Sequence, residues 1–255
     1  MTENRLALMP TESASTERGP SRRDVLLAGL ALPALGGGIG VSSLLLSDPA
    51  RAASPGQCVF GVTQEAVNFN PLLYVNTGVE TAVEMTVFDS LWKIDPQGKF
   101  IPNLAAEIPA VENGGISKDG LTWTIKLRPD VLWHDGQPLT AADVAFTLDV
   151  ILNPKVTVRS REGHEHVEHY ATKDDHTIEI KLKDSFAPYL VSWQKTSVIP
   201  KHILSTVPDI NTASFNTNPV GTGPFKFKER VAGSYIAFEP NPKYHGGAPK
   251  LTSLI

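Results

Sequence analysis

The chain has 255 residues, a formal net charge of −4, 41% hydrophobic and 20% charged residues, and one cysteine. That length buries a substantial core, in one large domain or two small ones. The mild, mixed charge excludes the basic stripe with which a nucleic-acid binder displaces counterions, and a lone Cys58 excludes an internal disulfide.

Residues 1–20 are polar and turn-rich, as in a disordered arm. Ser21-Arg22-Arg23-Asp24-Val25-Leu26-Leu27 follows, and Arg22 and Arg23 stand just before an uncharged run over residues 25–47. Gly36, Gly37, Gly38 and Gly40 dilute that run and Pro33 interrupts it. A stable membrane-spanning helix rarely tolerates this in its middle, whereas a removable targeting segment does. Ala50-Arg51-Ala52 supplies the small-x-small pattern of a cleavage site. The string resembles the twin-arginine export motif, with Val25 where phenylalanine is commoner and Leu27 where lysine is. Residues 1–52 are therefore expected to be a disordered N-region plus a signal peptide cleaved near Ala52. The destination would be the periplasm or the exterior; an uncleaved membrane anchor is the alternative. Pro55-Gly56-Gln57 before Cys58 is no lipobox, so Cys58 reads as a small core residue in a strand.

Residues 57–63, QCVFGVT, form an apolar run suited to a buried strand. NFNPLLYVNTG, residues 68–78, is marked as a loop by Asn, Pro and Gly. Val79, Val83, Val87 and Leu91 recur every four residues, which predicts one apolar helix face. Residues 120–128, GLTWTIKLR, alternate: Leu121, Trp123, Ile125 and Leu127 point inward and the polar residues outward. DDHTIEIKLK repeats the pattern with Ile178, Ile180 and Leu182 after an Asp-Asp turn. PFKFKER and SYIAFEP flank a VAGS turn and predict a hairpin. Strands and helices mix without a regular βαβ rhythm, so the class is α/β or α+β with a mixed sheet.

Three stretches could carry chemistry. In WHDGQPLTAADVAF, residues 133–146, His134 adjoins Asp135. Neighbours on an extended segment point to opposite faces, and no nucleophile elbow accompanies them, so a catalytic dyad is disfavoured. Asp135-Gly136 reads as a turn and Thr140 as the N-cap of a helix. Asp143 can bond back as its third residue, and Asn153-Pro154 ends the helix. Only His134 is left without an account. GHEHVEH brings His164, His166 and His169 together as candidate ligands for zinc or nickel, against the plainer reading of a solvated polar strand edge. NPVGTGPF lacks the following helix and lysine of a phosphate cradle, so Gly221 and Gly223 read as tight backbone turns.

Four stretches then resemble one family over nearly all of residues 57–255. WTIKLRPDVLWHDGQPLTAADVAF, NPVGTGPFKF and NPKYHGGAPKLTSLI resemble blocks of the family 5 extracellular solute-binding proteins, the peptide- and nickel-type receptors of ABC importers. FNPLLYVNTGVETAVEMTVFDSLWKID resembles that family's first loop and helix, while His245 stands where tryptophan is usual. The resemblance implies a two-lobed, type II periplasmic-binding-protein-like receptor, of which this chain supplies lobe one. Lobe one would use residues 53–86 and 200–255, with an α+β subdomain inserted over residues 87–199 and the second lobe absent. Tyr74, Val75, Asn76, Thr77 and Gly78 would line the ligand cleft, where free backbone groups can pair with an extended peptide. The expected role is non-enzymatic capture of a peptide or other small solute for a membrane permease, with no cofactor and no nucleic acid. The rivals are a metal or metal-chelate receptor of the same family, an exported metal-dependent hydrolase, and a truncated remnant that binds nothing.

Overall fold

The computed structural model describes residues 55–73 and 78–255. Arg22, Arg23 and Ala52, with the export motif and cleavage site they define, lie outside these residues, as do Tyr74, Val75, Asn76 and Thr77.

Three sheets organise the chain. The first has the order β1-β9-β8-β7, built from β1 (Gln57–Cys58), β9 (Ser253–Leu254), β8 (Tyr235–Pro240) and β7 (Phe225–Val231). β1 runs parallel to β9, and the other pairs are antiparallel. The second has the antiparallel order β4-β6-β5, from β4 (Thr122–Lys126), β6 (Thr177–Leu182) and β5 (Val167–Asp174). A short ribbon pairs β2 (Trp92–Ile94) with β3 (Phe100–Pro102). The helices are α1 (Gly78–Val87), α2 (Ala141–Leu152), α3 (Tyr189–Lys195) and α4 (Lys201–Leu204). Among the described residues no helix is long and apolar enough to cross a membrane.

The alternation of β4 and β6 does what a period of two requires. Trp123 faces Ile180 and Ile125 faces Ile178 in register, and all four are buried. Against them α2 lays Ala141, Val144 and Leu148, and a first core forms with Trp92, Trp133, Tyr189 and Trp193. A second core gathers Phe69, Leu72, Val83, Val87, Phe88, Ile199, Phe215 and Phe238. Val150 and Ile151 belong to this second core, so α2 is apolar on two faces and contributes to both. Truncating a side chain such as Leu148 to alanine would cost roughly 2–5 kcal/mol.

The capping expected of α2 is present. Thr140 is its N-cap, and Thr140 N–H donates to Asp143 Oδ2 at 2.8 Å. The other oxygen, Oδ1, accepts from Lys201 N–H at 2.9 Å, so one carboxylate closes two chain segments. Asn153 is the C-cap, before Pro154. The hairpin also forms where predicted, with Gly233 at φ +70° in its turn.

Three elements depart from expectation. The strand predicted over residues 57–63 covers only Gln57–Cys58, and Val59, Phe60 and Val62 are 55%, 68% and 50% exposed. β1 has β9 on one side and no strand among the described residues on the other; further bonds, Phe60 N–H to the Ile255 carbonyl at 2.7 Å and Ile255 N–H to the Cys58 carbonyl at 2.9 Å, extend the pairing. Cys58 does lie in this strand, but half-buried rather than in a core. The helical period running to Leu91 stops at Val87, because Gly223 N–H takes the Val87 carbonyl at 2.8 Å; Leu91 enters the first core instead. His164–His166 form a 3₁₀ turn rather than a strand edge, and β5 begins at Val167.

Candidate ligand-facing site

The segments that carry residues 74–78 are held from both sides. Asn70 Oδ1 accepts from Leu72 N–H at 3.1 Å, and Asn70 Nδ2 donates to Asn216 Oδ1 at 3.0 Å, so the approach to the loop is a pinned turn. Leu73 then forms an isolated bridge with Val158, and Arg159 N–H donates to the Leu72 carbonyl at 2.8 Å. On the far side Gly78 opens α1; it is exposed, and a side chain there would meet nothing within 4 Å.

Two buried glutamates of α1 complete the frame. Glu80 Oε1 accepts from Val67 and Asn68 N–H at 3.3 and 3.4 Å. Glu84 receives Arg159 at 2.9 Å and the Ser197 hydroxyl at 3.0 Å. Burial pushes the Glu84 carboxyl above its ordinary range, and Arg159 pulls it only partly back. A buried acid of this kind is costly without partners, so the frame holds together as a unit.

Two concavities adjoin this frame. One, of about 380 Å³, opens beside Pro71 and Leu72 and reaches α3. The other, of about 660 Å³, runs between residues 58–65, α1 and the β7–β8 turn; Val59, Phe60, Val79, Val83 and Ile236 make it largely apolar.

The three histidines proposed as metal ligands are not brought together. His164 is buried, and its Nε2 lies 2.9 Å from Thr196 Oγ1. Thr196 spends its proton on the Ser192 carbonyl, so His164 is the donor; burial holds its pKa down at about 4 and it stays neutral. His166 Nδ1 meets Asp184 at 2.8 Å and its ring stacks on Phe186, while His169 is exposed on β5. Among the described residues no group of three His, Cys, Asp or Glu side chains could hold a metal ion.

The His-Asp pair also separates. Asp135 Oδ2 meets His202 Nε2 at 2.7 Å, and His134 turns to the glycine-rich segment. His134 Nδ1 accepts from Gly221 N–H at 3.2 Å and Nε2 lies 3.0 Å from the Gly223 carbonyl, which fixes the tautomer with hydrogen on Nε2. Its own N–H donates to the Gly221 carbonyl at 2.8 Å, and Lys226 caps its carbonyl at 2.9 Å. Burial lowers its pKa to about 4.

Gly221 and Gly223 are required for approach rather than for turning. A Cβ on Gly221 would sit 1.9 Å from the Val87 carbonyl oxygen, and one on Gly223 would sit 2.6 Å from the Val87 carbonyl carbon. Between them Thr222 donates to Asp89, whose side chain is fully buried. Lys93 at 2.7 Å, Asn103 at 3.0 Å and Tyr244 at 3.4 Å also meet Asp89, and His245 meets Asn103 at 3.2 Å. Burial opposes the Lys93 charge, but Asp89 outweighs it and keeps that pKa raised. Asp89 and Asn103 are the important residues that sequence reasoning missed. Their one local signal, an acid four residues before Lys93, is common on any surface.

The model of the bacterial extracellular solute-binding proteins, family 5 Middle, matches residues 99–255. The chain is similar to a putative ABC transporter peptide-binding protein of Brucella ovis, 35% identical over 191 residues, covering 74% of this chain and 34% of that one. It is similar to the oligopeptide-binding protein AppA of Bacillus subtilis, 34% identical over 203 residues, covering 78% and 36%. Among solved structures it resembles AppA of Bacillus subtilis in complex with a nonapeptide, with TM-score 0.70 and 33% identity over 78% of this chain and 39% of that one. It resembles NikZ of Campylobacter jejuni in complex with Ni(L-His) equally, with TM-score 0.70 and 32% identity over 78% and 38%. The chain thus spans about a third of the length of the curated relatives it matches.

Proposed function

The chain belongs to the family 5 bacterial extracellular solute-binding proteins, and on that premise we propose that it serves as the peptide-capturing part of an ABC importer's receptor. It acts without turnover, and a membrane permease receives its cargo. The observation that carries this reading is the set of buried bonds that fixes residues 67–73 and α1 on either side of residues 74–77. Glu80 accepts from Val67 and Asn68 N–H ahead of residues 74–78, and Glu84 pairs with Arg159, whose own N–H holds the Leu72 carbonyl; fixed flanks of this kind suit a backbone edge on which an extended peptide pairs. The similarity to peptide-binding relatives supports the same ligand class. In this proposal Tyr74, Val75, Asn76, Thr77 and Gly78 are the contact residues. Residues 53–86 and 200–255 form the ligand-facing lobe, and residues 87–199 the inserted subdomain.

Titrating the full chain with a pool of four- to nine-residue peptides tests it. Bound peptide should raise the melting temperature by about 4 °C at saturating ligand, and Tyr74→Ala with Asn76→Ala should lose most of that rise. A melting temperature indifferent to every peptide would sink the reading. Export is tested separately. Arg22→Lys with Arg23→Lys should trap the protein in the cytoplasm by cell fractionation, and export of that variant at the parental level would remove the twin-arginine route.

A second reading has its own support in the likeness to the Ni(L-His) complex. His134, His164 and His166 are each committed elsewhere and no three ligands converge among the described residues, so a chelate that brings its own nitrogen ligands fits better than a bare ion. Calorimetry with nickel plus free histidine, against nickel alone, separates the two readings.

A further inference from the structure

The hollow of about 380 Å³ beside Leu72 has a chemistry of its own. Its floor is apolar, from Leu72, Ile151, Phe186 and Val191. An acidic and a basic side chain, Glu162 and Lys195, stand around it. Both are exposed, neither forms an ion pair among the described residues, and they do not pair with one another. The third charge at the hollow, Arg159, is committed to Glu84. Hydroxyls of Ser160 and Ser192 add polar edges.

Opposite charges that line an apolar hollow without pairing with one another complement a molecule with a charge at each end and an apolar body. We propose that this hollow binds the zwitterionic unit of an apolar amino acid or dipeptide. Its carboxylate meets Lys195, its ammonium meets Glu162, and its side chains rest on Leu72, Ile151 and Phe186. The volume is at the small end of ligand pockets, which run from about 300 to 1,000 Å³, and so admits a short ligand or one end of a longer one. The inference rests on the peptide reading for its ligand class and adds a site that reading does not use.

Four leucine derivatives test it by calorimetry on the full chain: leucyl-leucine, N-acetyl-leucine, leucinamide and N-acetyl-leucinamide. Leucyl-leucine should bind, and blocking either end should weaken binding about fivefold, as expected for exposed ion pairs. Lys195→Ala should weaken the carboxylate-bearing ligands and spare leucinamide. Glu162→Gln should weaken the ammonium-bearing ligands and spare N-acetyl-leucine. This crossed pattern cannot come from general unfolding, and unchanged melting temperatures would confirm intact variants. Leucyl-leucine binding that ignores both substitutions, or that the fully blocked derivative equals, overturns the proposal. If longer peptides still bind in that case, the receptor reading stands and only the hollow is lost; if no peptide of any length binds, both fall.

Discussion

His134 shows how a residue's role is set by partners far along the chain. Its ring bonds to Gly221 and Gly223, 87 and 89 residues downstream. Nothing local to its turn announces that, whereas Asp135, Gly136 and Thr140 were legible because each acts on its immediate backbone. The two glycines were legible as backbone positions, but their reason, the Val87 carbonyl beneath them, was not. Gly221→Ala should cost about 3 kcal/mol, because the added carbon meets main chain that cannot swing away; urea unfolding measures it. His134 and His164 also make stability depend on pH. Both fold with pKa values of about 4, below the ordinary 6.5 of an unfolded histidine. As pH falls through 6.5 the unfolded chain binds protons that the folded chain refuses until about 4. Stability is therefore whole above that window and lost as pH falls across it, by at most roughly 3 kcal/mol for each residue. Denaturant midpoints should fall between pH 7 and pH 4 accordingly, and a His134→Gln, His164→Gln double variant should show a flatter dependence on pH. An equal slope in that variant would refute the assignment.

The elements read most securely were those whose signal is periodic and whose ends are capped locally. α2, β4, β6 and the β7–β8 hairpin all lie where alternation and turn chemistry predicted them. One failure was at an end decided by distant chain: α1 stops where Gly223 meets it. The three-histidine segment misled because its composition suggested a strand, while Gly163 at φ +85° turns the chain into a 3₁₀ helix. The α2 cap offers a sharp test. Asp143→Ala removes acceptors from both Thr140 and Lys201 N–H and should cost about 2 kcal/mol. Asp143→Asn keeps one acceptor and should recover part of that, as read from denaturant midpoints.

At the scale of the molecule, the mixed α/β class expected from the sequence is the observed one, and the solved relatives place it as part of a type II binding-protein lobe. Asn, Pro and Gly marked residues 68–78 as a loop, but the proposed ligand role of residues 74–78 rests on family resemblance alone, because no periodic signal carries it. The frame of Glu80, Glu84 and Arg159 was invisible, since buried acids look like surface acids in a sequence. Val59, Phe60 and Val62 follow β1 and are exposed, and β1 has no strand beside its other edge among the described residues, so this end of the sheet has little to discourage pairing. Val62→Lys should reduce concentration-dependent light scattering without lowering the melting temperature, and unchanged scattering would count against edge pairing. The parallel pairing of β1 with β9 has a consequence in time. The Thr252 hydroxyl reaches the Pro55 carbonyl across 197 residues of chain, next to the β1–β9 register. A ribosome delivers β1 long before its partner, while β4, β5 and β6 emerge close together and can pair at once. The first sheet therefore closes late in synthesis, and until then its opening strand waits unpaired, available to chaperones and to whatever machinery moves the chain.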